Sequence, residues 1–177
     1  VLGLACSTGD GEGWATGTVN APSCGLDNEA YDLRPNFFTA DPAEDFLEIR
    51  VQHGSDRDDL ADRLSIFVAN ASEVKASMLE VPLDIGMDID SPVRMSLALN
   101  ETCPIDRRNG PVNLVASSGT IVFHQIYSPV GPDQPITHAS FENVIFTDNW
   151  TPSESDAVLS GEFSFVFARG RPAQYFP

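Results

Sequence analysis

The chain has 177 residues, the usual length of a single domain, and 42% of them are hydrophobic, which is enough to build a buried core. Its formal net charge is −16 at pH 7, from 26 acidic and 10 basic residues. Nucleic acid is therefore not expected as a partner, because binding to phosphates requires clustered lysine and arginine. Direct adsorption to an anionic bilayer surface is disfavoured for the same reason.

The chain opens with a short apolar run that ends at Cys6, and a polar, glycine-rich run follows at once. This pattern resembles the end of a bacterial lipoprotein signal peptide, in which a small residue precedes the cysteine that becomes acylated. Ala5 occupies the small position, whereas Gly3 stands where leucine is commoner. The resemblance implies that residues 1–5 end a signal peptide and that Cys6 carries a lipid. The alternative is that residues 1–6 form a first β-strand.

On the lipoprotein interpretation, residues 6–13 form a flexible linker and residues 14–177 form a single β-domain. This layout is similar to that of small bacterial lipoproteins. The resemblance implies a lipid-anchored protein of the bacterial cell envelope, at the periplasmic face or the surface of the outer membrane, and implies no activity. The expected partners are the membrane, through the N-terminal lipid, and another envelope protein. No later run approaches the roughly 18 apolar residues of a transmembrane helix.

The other two cysteines, Cys24 and Cys103, are predicted to form a disulfide. An exported protein lies in an oxidising compartment, where two cysteines commonly pair. The bridge would close a loop of about 80 residues, which the chain-entropy model values at about 4.5 kcal/mol as an upper figure. The alternative is two unpaired thiols.

Strand signals recur along the chain, whereas strong helix signals do not. Alternating or β-rich segments predict strands over residues 14–19, 46–53, 64–68, 93–99, 119–127, 141–146 and 158–167. A short strand near Pro82 brings the number to about eight. Residues 71–79 have helical spacing and predict at most one short helix. The expected fold class is all-β, as an antiparallel β-sandwich or a barrel-like sheet.

The last predicted strand, residues 158–167, alternates without a break. One face carries Leu159, Gly161, Phe163, Phe165 and Phe167, and the other carries Glu162 and Ser164. Because the side-chain period of a strand is two, the aromatic face is predicted to point into the core. Gly161 would leave room for a large neighbour or mark a bulge. The three last predicted strands are expected to pair in sequence order as a meander.

No motif in the sequence carries a recognisable reaction. There is no nucleophile elbow, no zinc-protease helix motif, no paired-cysteine redox motif and no phosphate loop. The sequence therefore favours a non-enzymatic interaction or structural module. Two alternatives stay open, a carbohydrate- or calcium-binding β-sandwich module and an enzyme with an unrecognised site.

Two kinds of side chain are candidates for metal binding. The histidines are His53, His124 and His138; a pair on neighbouring strands can bind a metal ion, although ordinary surface or core histidines are commoner. Calcium, which prefers several oxygen ligands from a flexible loop, has weak candidates in two acidic turns. These are Asp56, Asp58, Asp59 and Asp62 in the first turn and Asp84, Asp88 and Asp90 in the second. The alternative for both turns is a solvated acidic surface, and no other cofactor is expected.

Overall fold

The computed structural model describes residues 7–54, 61–103, 112–128, 136–148 and 155–166. Within these ranges there are eleven strands and one short α-helix, α1 (Ala71–Ser77). The strands are β1 (Ser7–Gly9), β2 (Gly11–Ala21), β3 (Leu26–Leu33), β4 (Phe37–Ala43), β5 (Phe46–Gln52), β6 (Asp62–Val68), β7 (Pro82–Asp84), β8 (Val93–Leu99), β9 (Asn113–Gln125), β10 (Ile136–Asp148) and β11 (Asp156–Val166).

The strands form one curled, antiparallel sheet. Their order is β1-β4-β5-β6-β8-β9-β10-β11-β2-β3, and β7 also pairs with β9. Only Asp10 separates β1 from β2, and only residues 34–36 separate β3 from β4. The ladder of strands therefore begins at β1 and returns to β2, the continuation of the same extended segment, before it ends at β3, so the sheet curls round on itself. The predicted all-β class is confirmed, and the single curled sheet corresponds to the barrel-like alternative.

Large and small side chains face each other where β11 closes the sheet onto β2. Phe165 lies opposite Gly11, and Phe163 lies opposite Gly13. Directly opposed residues of an antiparallel pair project to the same face, so each glycine leaves space for an inward-pointing ring. A Cβ atom on Gly13 would lie 2.9 Å from the Cβ atom of Phe163, closer than packed side chains approach. The inward phenylalanines of β11 thus depend on glycine in β2.

Gly161 in β11 likewise leaves space for an aromatic ring of β10. It lies opposite Phe141, and a Cβ atom on Gly161 would lie 2.5 Å from the Cζ atom of that ring. The register between the two strands shifts just beyond this pair, between Phe141 and Val144. Gly161 therefore leaves room for a large neighbour and also stands beside a bulge, as the sequence predicts.

Side chains fill the interior of the curled sheet. The ring of Phe38 in β4 stacks on Phe165 with 5.6 Å between centroids, so residues on separate strands meet inside. The apolar cavity between Ala15, Leu33 and Leu64 has a volume of about 10 Å³. Such a volume holds about one water molecule. This cavity has no room for an organic ligand, and buried side chains fill the described interior around it.

The structure differs from the sequence-based prediction at the N-terminal end. Residues 7–9 and 11–13, predicted to belong to a flexible linker, lie in β1 and β2. Their glycines are not spacers here, because those at positions 11 and 13 face the rings of β11. The sequence does not predict β3 or β4. In β3, residues 26–30 are mostly exposed and lack alternation, and in β4 Pro42 interrupts residues 37–43.

The prediction for the last strand is confirmed as far as the structure describes it. Leu159, Phe163 and Phe165 are buried, whereas Glu162 is exposed on the opposite face. Phe167 lies outside the described residues. The strands β9, β10 and β11 pair in sequence order, as the meander predicts. The short helix is confirmed as α1, and no helix in the described part of the chain is long and apolar enough to cross a membrane.

The predicted disulfide is confirmed. Cys24 and Cys103 are bonded, with 5.5 Å between their Cα atoms and a separation of 79 positions in the sequence. Cys24 follows β2, and Cys103 is fully buried in the turn that follows β8. The bond thus joins two strand connections that belong to distant parts of the chain.

The inward row of β11 supplies a direct test of the core. Replacing Phe165 by Ala removes a fully buried ring and should lower the free energy of unfolding by about 3–5 kcal/mol. The control, Glu162→Ala on the exposed face, should lower it by well under about 1 kcal/mol. Chemical denaturation of both variants measures the difference, and equal losses would contradict the assignment of inner and outer faces.

Candidate functional site

The densest group of chemically active side chains lies on the outer face of the sheet. His124 in β9 and His138 in β10 have ring centroids 4.5 Å apart. The register of β9 and β10 shifts between His138 and Ala139, so that His124 and Gln125 both remain on the outer side. Ala139 lies opposite Phe123, so ordinary alternation turns both His138 and His124 to the outer face, and the pairing of the two strands brings the imidazoles together.

A glutamate contacts each imidazole. His124 Nδ1 lies 2.8 Å from Glu80 Oε2, and His138 Nε2 lies 2.8 Å from Glu162 Oε1. An ionised carboxylate only accepts hydrogen bonds, so each of these ring nitrogens carries the proton and donates it. His124 Nε2 lies 3.1 Å from the Ser140 hydroxyl. We call these five residues the histidine row; they are Glu80, His124, Ser140, His138 and Glu162.

The histidine row is partly open to solvent. The side chains of His124 and His138 are 29% and 33% exposed, and those of the two glutamates are more exposed still. Ion pairs at this exposure contribute about 0–1 kcal/mol to stability. The row is therefore not a major stabilising element, and its side chains are accessible to a ligand.

A shallow groove continues the histidine row onto β2. Trp14 lies directly opposite Glu162 and is 37% exposed. With Glu12, Arg34 and Ser164, these two residues line a groove of about 340 Å³. The groove combines one aromatic face with carboxylate, guanidinium and hydroxyl groups. We call it the Trp14 groove.

A second polar cluster lies beside the disulfide and is structural. Asp62 is buried at the start of β6 and accepts hydrogen bonds from the Glu101 amide at 2.8 Å, the Thr102 amide at 3.0 Å and the Tyr31 hydroxyl at 3.1 Å. The Thr102 hydroxyl donates a fourth. One carboxylate thereby connects β3, β6 and the turn that leads into Cys103. We call this cluster the Asp62 clamp.

The clamp changes the acidity of Tyr31. Burial disfavours the charged phenolate, and the nearby Asp62 carboxylate and its hydrogen bond add to this effect, with a smaller contribution from Glu101. Together they raise the pKa of Tyr31 far above its ordinary value of about 10. The tyrosine therefore acts as a permanent hydrogen-bond donor to the clamp.

The acidic calcium candidates do not form a cluster in the described residues. Asp62 is engaged by four donors, which occupy the acceptor positions that an ion would need. The three aspartates of the second turn, Asp84, Asp88 and Asp90, are exposed. In the described ranges no group of three or more histidine, cysteine or acidic residues is placed to hold a metal ion.

The remaining candidates are separate from the histidine row or beyond the described chain. His53 directly follows β5, and its Nδ1 atom lies 2.6 Å from the carbonyl oxygen of Arg34. Cys6 lies outside the described residues, as do Asp56, Asp58 and Asp59.

Comparison with family models, with curated proteins and with solved structures finds no match to this chain.

Sequence reasoning named both histidines of the row but missed its other members. Glu80 is 44 residues from His124, and Glu162 is 24 residues from His138. No local motif signals such pairs. Trp14 was assigned to a strand, and only the strand register shows that it shares a face with Glu162. Tyr31 was missed because β3 was not predicted.

The raised pKa of Tyr31 predicts a specific dependence of stability on pH. The folded protein keeps the phenol proton that the unfolded chain releases above about pH 10, so this stabilising contribution is full below about pH 10 and is lost as the pH rises. Above about pH 10 the free energy of unfolding should fall by up to about 1.4 kcal/mol per pH unit from this group.

Tyr31→Phe removes the phenol group, so above about pH 10 its free energy of unfolding should fall less steeply with pH, by up to about 1.4 kcal/mol per pH unit. Urea unfolding at pH 8, 10 and 11 measures the free energy of unfolding of the variant and of the unsubstituted protein. Parallel pH profiles for the two proteins would show that Tyr31 titrates normally.

Proposed function

We propose that this chain is a lipid-anchored module of the bacterial cell envelope that binds a partner through its outer surface. The observation that carries the proposal is the filled interior. Stacked rings such as Phe38 and Phe165 occupy the space that a ligand carrier keeps open. Recognition is therefore assigned to the outer face, where the histidine row and the Trp14 groove lie.

The disulfide supports export. Cys24 and Cys103 are bonded across 79 residues, and such bonds persist in oxidising compartments such as the periplasm and the cell surface. They are rare in the reducing cytosol. A bond that joins distant strand connections also suits a module that must stay folded without help from a partner.

The anchor is assigned to Cys6, on the resemblance of the residues around it to a lipoprotein signal. Ser7 begins β1, so no flexible spacer separates the proposed lipid from the sheet. The folded domain would thus lie directly against the membrane. Its partner would be a neighbouring envelope protein or an envelope carbohydrate.

Acylation tests the anchor. The full-length precursor, expressed in a bacterium, should incorporate labelled fatty acid and partition into detergent, and Cys6→Ser should abolish both. Ser7→Ala is the matched control and should leave labelling intact. Thiol alkylation of the mature protein should modify neither Cys24 nor Cys103. Equal labelling of the Cys6→Ser variant would remove the anchor from the proposal.

A carbohydrate partner is the second candidate, and the Trp14 groove favours it. A half-exposed indole flanked by Glu12, Arg34 and Glu162 offers a stacking face together with groups that hydrogen-bond hydroxyls.

Titration of the protein with envelope glycans should therefore change tryptophan fluorescence. Calorimetric titration, which does not depend on the indole signal, should show that Trp14→Ala abolishes binding. Phe46→Ala is the control, since it removes an exposed aromatic from β5, away from the groove. Glycan binding that survives Trp14→Ala would exclude the groove as the binding site.

A further inference from the structure

The two imidazoles of the histidine row lie side by side on neighbouring strands. We propose that His124 and His138 bind one divalent transition-metal ion of the Cu²⁺, Ni²⁺ and Zn²⁺ class on the outer face of the sheet. The rings lie on neighbouring strands with centroids 4.5 Å apart, and both are partly exposed, so an ion can reach them from solvent.

Each ring keeps one nitrogen available for an ion. The glutamates hold the protons on His124 Nδ1 and His138 Nε2. The lone pairs therefore lie on the opposite nitrogens, His124 Nε2 and His138 Nδ1. Ser140 contacts the first through a hydroxyl that an ion can displace, and the second has no hydrogen-bond partner in the part of the chain that the structure describes.

The glutamates have the role that supporting carboxylates have in metal sites. A metal-bound histidine commonly donates its other ring N–H to a carboxylate, which fixes the tautomer and increases the basicity of the ligand nitrogen. Glu80 does this for His124, and Glu162 does it for His138. These supporting contacts are present on both rings without an ion, so the site needs little reorganisation of its protonation state.

The chemistry of the ligands selects the class of ion. Imidazole suits copper, nickel and zinc, whereas calcium and magnesium prefer oxygen ligands. Only two protein nitrogens contribute, which agrees with the absence of a three-residue metal cluster in the described ranges. Water fills the remaining positions, so the ion is exchangeable and open to a further ligand from a partner.

Calorimetric titration of the metal-free full chain with NiCl₂ tests the proposal. All proteins carry Cys6→Ser, which removes the only cysteine outside the disulfide as a competing ligand. One ion per chain should bind at pH 7.5. The variants His124→Gln and His138→Gln should each bind at least about tenfold more weakly, in line with the loss of a ligand. His53→Gln is the matched control and should bind normally.

Three further measurements separate this site from general attraction to an acidic protein. Binding should weaken strongly at pH 5.5, because protons compete with the metal ion for the imidazole nitrogens. Glu80→Gln and Glu162→Gln should weaken binding by about tenfold or more. CaCl₂ should not displace the nickel. Circular dichroism checks that each variant is folded. The proposal is overturned if the folded His124→Gln/His138→Gln double variant binds nickel as tightly as the parent, or if the parent does not bind nickel.

Discussion

Inward-pointing phenylalanines of β11 meet glycines of β2, and the closure of the sheet depends on this match in size. Phe165 opposite Gly11 and Phe163 opposite Gly13 allow β2 and β11 to pair while both rings stay inside. A side chain at either glycine would collide with the opposing strand. Without this pairing β2 and β11 would be open edges, and the rings would lack part of the wall that buries them.

The Asp62 clamp and the disulfide act together near the ends of β2, β6 and β8. Cys103 directly follows Thr102, which donates to Asp62, so one short turn holds both connections. The disulfide limits the unfolded chain, whereas the clamp satisfies buried polar groups in the folded one. Their combination explains why this turn is fixed although it joins strands that are far apart in the sequence.

A filled interior leaves the outer wall as the place where this domain meets its surroundings. Outward residues of strands are usually solvated and individually unimportant for stability. Here the pairing of β9 with β10 places His124 beside His138. Two imidazoles and two carboxylates thus meet on the outer wall, where they are accessible from solvent.

The sequence by itself determined the fold class, most of the strands and the inward face of β11, because these follow from local alternation. Residues 93–99 were predicted with the observed bounds of β8. The pairing of Cys24 with Cys103 also followed from the sequence, since the predicted lipidation of Cys6 would leave only two cysteines. These conclusions need no knowledge of which strands are neighbours.

Only the tertiary structure decided how the sheet closes and which side chains meet. Gly11 and Gly13 are predicted to be linker residues from their local sequence. Only the strand pairing shows that Phe165 and Phe163, some 150 positions away, lie opposite them. Glu80 and His124 approach each other because β7, which follows Glu80, pairs with β9. A shift of register by one residue would reverse the face of every side chain beyond it. Register depends on pairing between distant segments, and no local pattern in the sequence contains that information.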